Sequence, residues 1–369
     1  MKFNKWTVGL AAVGLVSLAS AARADEQKMS QVQTALSDTT LSGYVDVAAT
    51  FSPGNTGAGY AFGGAKAQAN GVTLNAVDIA LDKPQDESPW ASGYHVELML
   101  GANTVGAYPI RQAYLTLRTP VGPNGIDWKV GYFDTIIGYE SNSSPLNPNY
   151  THSYAYSIEP TSHTGVIGTY QIVDGVSVTA GVADDSTGNG FNTGMYQPSL
   201  LGALTLTAPD SFGALKGASL TAGVIDRSWF GDGENLYLGA TIPTPMSALK
   251  FGAAFDYLEA NHNFVNTENS SLWNVALYGS YQATDKLAFN VRAEYLDGDY
   301  TASAPGGTSV YGKTAAEELT FTVQYNLWAN VLSRAEFRWD HVEHGTPFAS
   351  PNTPEANAYM FAVNLIYQF

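Results

Sequence analysis

The chain has 369 residues, with 33 acidic against 17 basic side chains and a formal net charge of −16. Charged residues make up 14 % of the chain, where roughly 25 % is usual, and aromatic residues make up 12 %, so the composition excludes intrinsic disorder. The absence of cysteine excludes disulfides and thiolate metal sites, and the acidic balance argues against nucleic acid as a partner because phosphate binding needs a basic surface.

Residues 1–24 have the pattern of a cleaved secretory signal peptide. Lys2 and Lys5 precede a largely apolar stretch that runs to Ala22, and Ala22-Arg23-Ala24 fits a cleavage site between small residues. The apolar run is shorter than the ~20 residues that a spanning helix needs, which disfavours a membrane anchor. Residues 25–40 are polar and are predicted to be a periplasmic lead-in, with a short helix near 29–36.

From residue 41 to the end, segments of about ten residues alternate apolar with polar or small side chains, and turn residues separate them. In one of them Phe321 and Val323 lie on one face, and Thr322 and Gln324 on the other. This period of two is typical of outer-membrane strands. The predicted strands are 41–51, 72–82, 94–100, 110–118, 126–133, 163–173, 175–183, 200–208, 217–226, 234–242, 248–257, 271–281, 286–296, 318–328, 333–341 and a last one that ends at 369.

These segments predict an all-β fold, a transmembrane antiparallel up-and-down β-barrel of about 16 strands (14–18), with long extracellular loops and short periplasmic turns. A soluble β-sandwich also alternates, but it usually carries many charges on its outer face. Here the polar face is mainly Thr, Asn, Gln, Ser and Gly, and aromatic residues such as Tyr94, Tyr132 and Trp328 collect near strand ends, as interfacial girdles do.

The last predicted strand is the strongest single signal for an outer membrane. Its apolar residues alternate with Met360, Ala362, Asn364, Ile366 and Gln368, and the printed sequence ends on an aromatic residue. Such a strand resembles the signal that the outer-membrane barrel assembly machinery reads, so this machinery and the outer-membrane lipid are predicted partners in a Gram-negative-type envelope. The residues predicted to carry the assembly signal are Tyr367 and Phe369.

Long polar connections are predicted at 52–71, 138–162, 184–199, 258–270, 297–316 and 343–357. The longest, 138–162, is rich in Asn, Ser and Tyr, and connections of this length are usually functional or disordered. We expect it to fold into or over the lumen and to set the pore size, with Glu140, Asn147, Asn149 and Tyr150 as pore-loop residues. The alternative is a mobile surface loop.

Several stretches resemble a known family, the OmpL-like β-barrel porins of bacterial outer membranes. They begin with Leu41-Ser42-Gly43-Tyr44-Val45-Asp46 and continue with Gln112-Ala113-Tyr114-Leu115, Lys129-Val130-Gly131-Tyr132-Phe133, Gly138-Tyr139-Glu140 and His163-Thr164-Gly165-Val166. The resemblance runs from about 41 to 369 and is densest over 110–185. It implies a passive pore with mostly undefined substrates and with no catalytic residues. The chain departs from the family pattern at Thr151-His152, where Ser and often Arg are expected.

The alternation predicts that both acidic and basic side chains face the lumen, where charged rings tune ion selectivity. The densest group, on 286–296 and 333–341, is either a constriction wall or a ladder of cross-strand pairs that fixes the register. Because acids exceed bases, the pattern favours a weak preference for cations. The predicted selectivity residues are Asp46, Asp78, Glu97, Arg118, Lys129, Arg292, Glu294, Arg334, Glu336, Arg338 and Asp340, and Asp127, Lys250 and Asp256 have the same parity.

The sequence carries no motif for catalysis, so no catalytic residue is predicted. None of the six His residues lies in a G-x-S-x-G or H-E-x-x-H context. His341 and His344, near Asp340 and Glu343, are a weak signal for a metal, and the acidic loop that follows Asp184 lacks calcium-loop spacing, so neither a metal nor a cofactor is predicted.

The predicted function is an outer-membrane porin for passive diffusion of small hydrophilic solutes or ions. The alternatives are a non-conducting barrel with an adhesive or structural role and, third, a barrel enzyme. A homotrimer is an expectation from the size of the barrel.

Overall fold

The computed structural model describes residues 38–53, 70–104, 109–184, 198–228, 233–260, 270–299, 313–344 and 356–369. The predicted signal peptide, the lead-in helix near 29–36 and parts of most of the predicted long loops lie outside these residues. No helix within the described ranges is long and apolar enough to cross a membrane.

Sixteen antiparallel strands form one closed barrel, in which each strand pairs with its neighbours in the chain and β16 pairs with β1. This confirms the predicted fold class and the predicted number of strands. The strands are β1 Thr40–Phe51, β2 Gly71–Lys83, β3 Ser92–Leu100, β4 Ile110–Thr119, β5 Ile126–Asp134, β6 Ser162–Val173, β7 Val176–Ala183, β8 Ser199–Thr207, β9 Ser219–Ser228, β10 Gly233–Pro243, β11 Leu249–Ala260, β12 Ser270–Gln282, β13 Leu287–Asp299, β14 Lys313–Trp328, β15 Val331–His344 and β16 Asn357–Gln368.

The outer surface of the barrel is apolar and its interior is polar. In β16, Phe361 and Val363 are 48 % and 57 % exposed, whereas the intervening Ala362 and the following Asn364 are buried. Because successive side chains of a strand point to opposite faces, one face of every strand meets lipid and the other meets the lumen. The sequence alternation is therefore the direct cause of the barrel.

The closing seam joins the two ends of the barrel sequence. The backbone N–H of Gly43 donates to the carbonyl of Phe369 at 3.1 Å, and the N–H of Phe369 donates back to Gly43 at 3.0 Å. A Cβ on Gly43 would lie 2.8 Å from the Phe369 ring, so the seam requires glycine at this position. Tyr367 faces outward, 48 % exposed.

Several strands extend beyond their predicted ends on the side of the long loops. β14 begins at Lys313 rather than at 318, and β15 runs to His344 rather than 341. The ladder of backbone hydrogen bonds continues there past the lipid zone, where outward positions need not be apolar. Polar residues at outward positions, such as Glu317 and Glu343, interrupt the alternation there, so the pattern did not predict these strand ends.

The connections alternate between short turns at one end of the barrel and long loops at the other. β6 and β7 are joined by 174–175, and β14 and β15 by 329–330, whereas β5 and β6 are joined by 135–161. That long connection contains a 3-10 turn, Ser144–Leu146, and a short helix, α1, Tyr154–Ile158.

Candidate functional site: a loop across the lumen

The loop 138–162 lies inside the barrel. Tyr150 and Tyr154 are 1 % and 0 % exposed, and Tyr150 packs against Ala48 of β1 and Met360 of β16, strands that are not neighbours of the two that the loop joins. The mobile surface loop that we kept as the alternative is not what the structure shows.

The first part of the connection packs against an apolar half of the inner wall. Ile136, Ile137 and Tyr139 join a buried cluster that includes Ile225 of β9 and Tyr278 of β12, and the Tyr139 and Tyr278 rings stack at 4.1 Å. At Gly223 an added Cβ would lie 2.6 Å from Ile137. Glycine at this position lets the chain approach the wall closely.

The opposite wall, β13–β15, carries its charges in rows. The register places Glu294, Glu318 and Asp340 directly opposite one another, and the next row consists of Arg292, Thr320 and Arg338. Like charges directly opposite destabilise a sheet. Opposite charges therefore pair diagonally between strands, as Arg292 of β13 does with Glu318 of β14 at 3.0 Å, and the loop supplies further partners.

Arg292 joins the loop to three acidic side chains. Its Nη1 donates to Glu140 Oε1 at 2.9 Å and to the Thr151 carbonyl at 2.7 Å, and its Nε donates to Glu318 Oε2 at 3.0 Å. The third acid, Glu294, lies 3.5 Å from Nε. The guanidinium is fully buried.

The two arginines of β15 hold the backbone of the loop. Arg338 Nη1 donates to the His152 carbonyl at 2.7 Å, and its Nε and Nη2 donate to Asp340. Arg334 Nη2 donates to the carbonyls of Ser144 and Asn147 at 2.9 and 2.6 Å. Both side chains therefore bind the loop through carbonyl oxygens.

The acidic side chains of this wall bind the N–H groups of the loop. Glu336 accepts from the N–H of Tyr150 at 2.6 Å and of Thr151 at 2.9 Å, and Glu294 accepts from the N–H of Tyr154 at 2.9 Å. Buried backbone groups need such partners. The backbone of the loop is not paired in a sheet. The acidic and basic side chains of β13–β15 therefore supply the hydrogen bonds that its buried N–H and C=O groups require.

Glu140 is the acidic residue that the loop itself contributes to this network. Burial alone would raise the pKa of its carboxyl, but Arg292 and His152, together with the N–H of Ser153, hold the pKa down at about 2. His152 Nδ1 lies 2.9 Å from Glu140 Oε2. Glu140 is therefore ionised at neutral pH although it is buried.

The structure does not bring all predicted site residues together. Asn149 donates to Thr322 at 2.7 Å, whereas Asn147 bonds within the loop to the N–H of Ser141. On β1–β3, Asp46 accepts from Asn75 at 2.8 Å, Glu97 accepts from Gln112 at 2.7 Å, and Asp78 is buried. Near the turn end, Arg118 binds Asp127 at 2.7 and 2.9 Å, and Lys129 lies 4.8 Å from the centre of the Tyr114 ring.

The strands β2–β5 carry charged side chains that are partly exposed. The side chains of Asp82, Asp134 and His95 are 41 %, 33 % and 17 % exposed. Arg111 Nη2 donates to Asp134 at 2.6 Å. Polar groups that water can reach therefore remain on this side of the barrel.

Several residues of the network were not predicted. Glu318 is the first residue of the predicted strand 318–328 and shares the parity of Thr320 and Thr322, so the alternation already placed it on the inner face, although it was not named as a site residue. Arg111 lies next to a register shift between β3 and β4, which breaks the alternation. His152, Tyr154 and Glu159 lie in the loop, where alternation carries no signal.

The described residues contain no group of three or more His, Cys, Asp or Glu side chains that could hold a metal ion. His341 bonds to Asn357 at 3.0 Å, whereas Asp340 faces the interior and bonds to Arg338. The weak His341 and His344 signal therefore does not become a metal site, and most of the acidic loop after Asp184 lies outside the described residues.

The sequence matches the family described as "Putative beta-barrel porin-2, OmpL-like" over residues 38–369. The chain belongs to this family. The match confirms the resemblance to OmpL-like porins that the motifs indicated, and the protein is an outer-membrane, porin-like barrel. No protein with a curated function matches the sequence.

Solved structures of outer-membrane proteins share the fold. The outer-membrane channel DcaP of Acinetobacter baumannii has a TM-score of 0.65 at 13 % identity, covering 92 % of this chain and all of that one. OmpT of Vibrio cholerae has a TM-score of 0.60 at 15 % identity, covering 92 % of this chain and all of that one. An anion-selective porin from Comamonas acidovorans has a TM-score of 0.59 at 12 % identity, covering 90 % of this chain and 99 % of that one.

Proposed function

We propose that this protein is a diffusion porin that passes small hydrophilic solutes and ions, with a weak preference for cations. The observation that carries the proposal is the position of the loop 138–162, which crosses the lumen and is anchored on β13–β15. A barrel of 16 strands is wide enough for an aqueous channel, and an inserted loop narrows such a channel to a constriction.

The permeation path in this proposal lies between the edge of the loop at Ser141 and the strands β2–β5, beside the hydrogen bond that Asn142 Nδ2 donates to Asp134 Oδ1 of β5 at 3.2 Å. Ser141 and Asn142 are partly exposed at that edge, whereas the anchored residues Thr151 and Tyr154 are buried. The charges of β13–β15 then act on selectivity through the position of the loop, because they are buried beneath it. Solutes meet Asp82, Asp134 and Lys129 instead.

The cation preference rests on the charges inside the barrel. Of the charged side chains beside the proposed path, Asp82 and Asp134 are acidic and partly exposed, and Lys129 is basic. An acidic interior raises the local concentration of cations. The anion selectivity of the Comamonas acidovorans porin belongs to that protein and shows, at 12 % identity, only that the same fold is compatible with the opposite preference.

The test is single-channel recording of the refolded protein in a planar bilayer under a salt gradient. We expect discrete, stable current steps and a reversal potential whose sign shows that cations are more permeant than anions. A reversal potential of the opposite sign would refute the cation preference and leave the pore intact.

The natural chain has no cysteine, so the path can be mapped with single cysteines. A charged thiol reagent should reduce the current through S141C. The matched control is D210C, on an exposed turn outside the lumen. Equal effects on both variants, or on neither, would contradict a path along the edge of the loop.

A specific observation also favours the second candidate, a non-conducting barrel with an adhesive or structural role. The loop is held by buried contacts on β9, β12–β16 and β1, which is what a plug requires. A folded, heat-modifiable barrel that gives no current steps in the bilayer experiment would establish this candidate. An enzymatic role ranks third, because the family description names a porin.

We further propose that the protein forms a homotrimer and that Tyr367 and Phe369 direct its assembly. One solved form of Vibrio cholerae OmpT, at 15 % identity, is a trimer. The mass of the detergent-solubilised protein, measured by light scattering, tests the first point. The second predicts that F369A lowers the yield of folded barrel in membranes, while the control Y325A, on the outer face of β14, leaves it unchanged.

A further inference from the structure

Four oxygen-bearing side chains gather at the C-terminal end of α1. Glu159 caps this helix, and Asn235, Asp256 and Asn274 come from β10, β11 and β12. Each of the four is at most 4 % exposed. Glu159 Oε1, Asn235 Oδ1, Asn274 Oδ1 and both oxygens of Asp256 have no hydrogen-bond partner in the described structure.

So many unpartnered oxygens in one place need a physical reason. A buried polar atom without a partner costs free energy, and native structures contain few of them. Five such atoms on four neighbouring residues, all acceptors, indicate that a positively charged or proton-bearing group belongs among them.

The two amides are oriented by their nitrogens. Asn274 lies directly opposite Asp256 in the register, and its Nδ2 donates to Glu294 Oε1 on β13 at 3.1 Å. Asn235 Nδ2 donates at 3.0 Å to the carbonyl of Ile158, the residue before Glu159. Both amides are therefore held through their nitrogens, and their oxygens remain without a partner.

The charge at this place is uncompensated. Burial raises the pKa of the Glu159 carboxyl well above its ordinary value, and Asp256 raises it further through its charge and through the close contact of the two carboxyl groups. Among the described residues no Lys, Arg or His forms an ion pair with Glu159 or Asp256, and Arg292 is engaged with Glu140, Glu294 and Glu318. Either a cation or a shared proton must neutralise the pair.

We propose that Glu159, Asp256, Asn235 and Asn274 form a binding site for one Ca²⁺ ion, which fastens the C-terminal end of α1 to β10–β12. The donor set consists of oxygen alone, from two carboxylates and two amide carbonyls, which is the chemistry that hard cations prefer. Ca²⁺ fits better than Mg²⁺, because it accepts irregular sets of six to eight oxygens, whereas Mg²⁺ demands a near-octahedral shell and keeps its waters.

The site completes the anchoring of the loop. Apolar packing on β9 and β12 holds the first part of the connection, and the charges of β13–β15 hold the middle of the loop. The ion would hold the last turn of the loop. Ca²⁺ is thereby expected to stabilise the inserted position of the loop over any released position, since it binds residues from both the loop and the wall.

The first test is direct binding to the full-length folded protein in detergent after removal of metal with a chelator. Calorimetric titration with Ca²⁺ should give one site per chain. Tb³⁺ should occupy the same site and should luminesce when tyrosine is excited, because Tyr237 lies directly opposite Asp256. Ca²⁺ should displace the Tb³⁺ signal at lower concentration than Mg²⁺.

The variants E159Q and D256N should weaken Ca²⁺ binding at least tenfold while keeping the heat-modifiable mobility of a folded barrel. The matched control is D226N, which changes a half-exposed acid on β9 that is paired with Arg227. It should bind Ca²⁺ as the natural chain does. Loss of binding in D226N as well would indicate non-specific surface binding and would overturn the proposal.

The shared proton is the competing outcome, and it gives a different result. In that case no stoichiometric Ca²⁺ binding occurs between pH 5 and 8, the thermal transition is the same in Ca²⁺ and in chelator, and D256N stabilises the protein in both. With the ion, the thermal transition of the natural chain rises in Ca²⁺, and that of D256N does not.

Discussion

The two charged walls of the lumen, β13–β15 and β2–β5, differ in what their charges do. On β13–β15 the side chains of Arg292, Arg338 and Asp340 are fully buried beneath the loop. On β2–β5 the side chains of Asp82 and Asp134 are 41 % and 33 % exposed. Charge in a lumen is therefore not by itself evidence of a selectivity filter, because a buried charge that binds a loop shapes the pore without meeting the solute.

The largest effect on stability is expected when β13–β15 lose the buried guanidinium of Arg292. In R292M the carboxylates of Glu140, Glu294 and Glu318 are left buried without their guanidinium, and breaking a buried ion pair costs about 3–5 kcal/mol. The free energy of unfolding should fall by that amount, and the single-channel current should rise as the loop leaves the lumen. The control R227M, which breaks a half-exposed ion pair on β9, should change both by little.

A pH titration should give the next largest effect. The pKa of Glu140 is depressed from 4.5 to about 2, so its stabilising effect is complete above pH 4.5 and is lost as the pH falls towards 2. The difference in unfolding free energy between the natural chain and E140Q should thus be constant from pH 5 to 8, at about 3 kcal/mol, and should shrink below pH 4.5. A difference that changed between pH 6 and 8 would contradict the assignment to the Glu140 carboxyl.

A smaller effect is expected from E336Q. The glutamine keeps one acceptor for the N–H groups of Tyr150 and Thr151 but loses the charge, and hydrogen bonds to charged groups contribute about 1.5–3 kcal/mol. The open-channel current should become noisier as this part of the loop fluctuates. The matched control is E317Q, at an outward-facing position of β14. It should give the same current noise as the natural chain.

The smallest change in stability and the clearest change in selectivity are expected on β2–β5. K129Q should shift the reversal potential towards cations and D82N towards anions, each by roughly a twofold change in permeability ratio, since a partly hydrated charge acts on a passing ion with less than about 1 kcal/mol. Equal and opposite shifts would establish this wall as the selectivity filter. The same shifts in R338M, without a change in current, would move the filter back to β13–β15.

The sequence by itself determined the barrel. A period of two, repeated between turn residues, fixes which face of each strand meets lipid, and an even number of such strands closes antiparallel, so the count and nearly all boundaries could be read from residues 41–369. The ends that could not be read, such as those near Lys313 and His344, lie where the outward positions are no longer required to be apolar.

The tertiary structure alone decided what the interior charges do. Alternation places Arg334, Glu336 and Arg338 on the inner face. It contains no information about the loop that comes from the other side of the barrel and covers them. Their partners in the loop lie 185 to 190 positions away in the sequence, from Thr151 for Glu336 to Ser144 for Arg334. Such contacts depend on the register of the sheet and on the path of the loop, and both are set by packing across the whole barrel rather than by any local pattern.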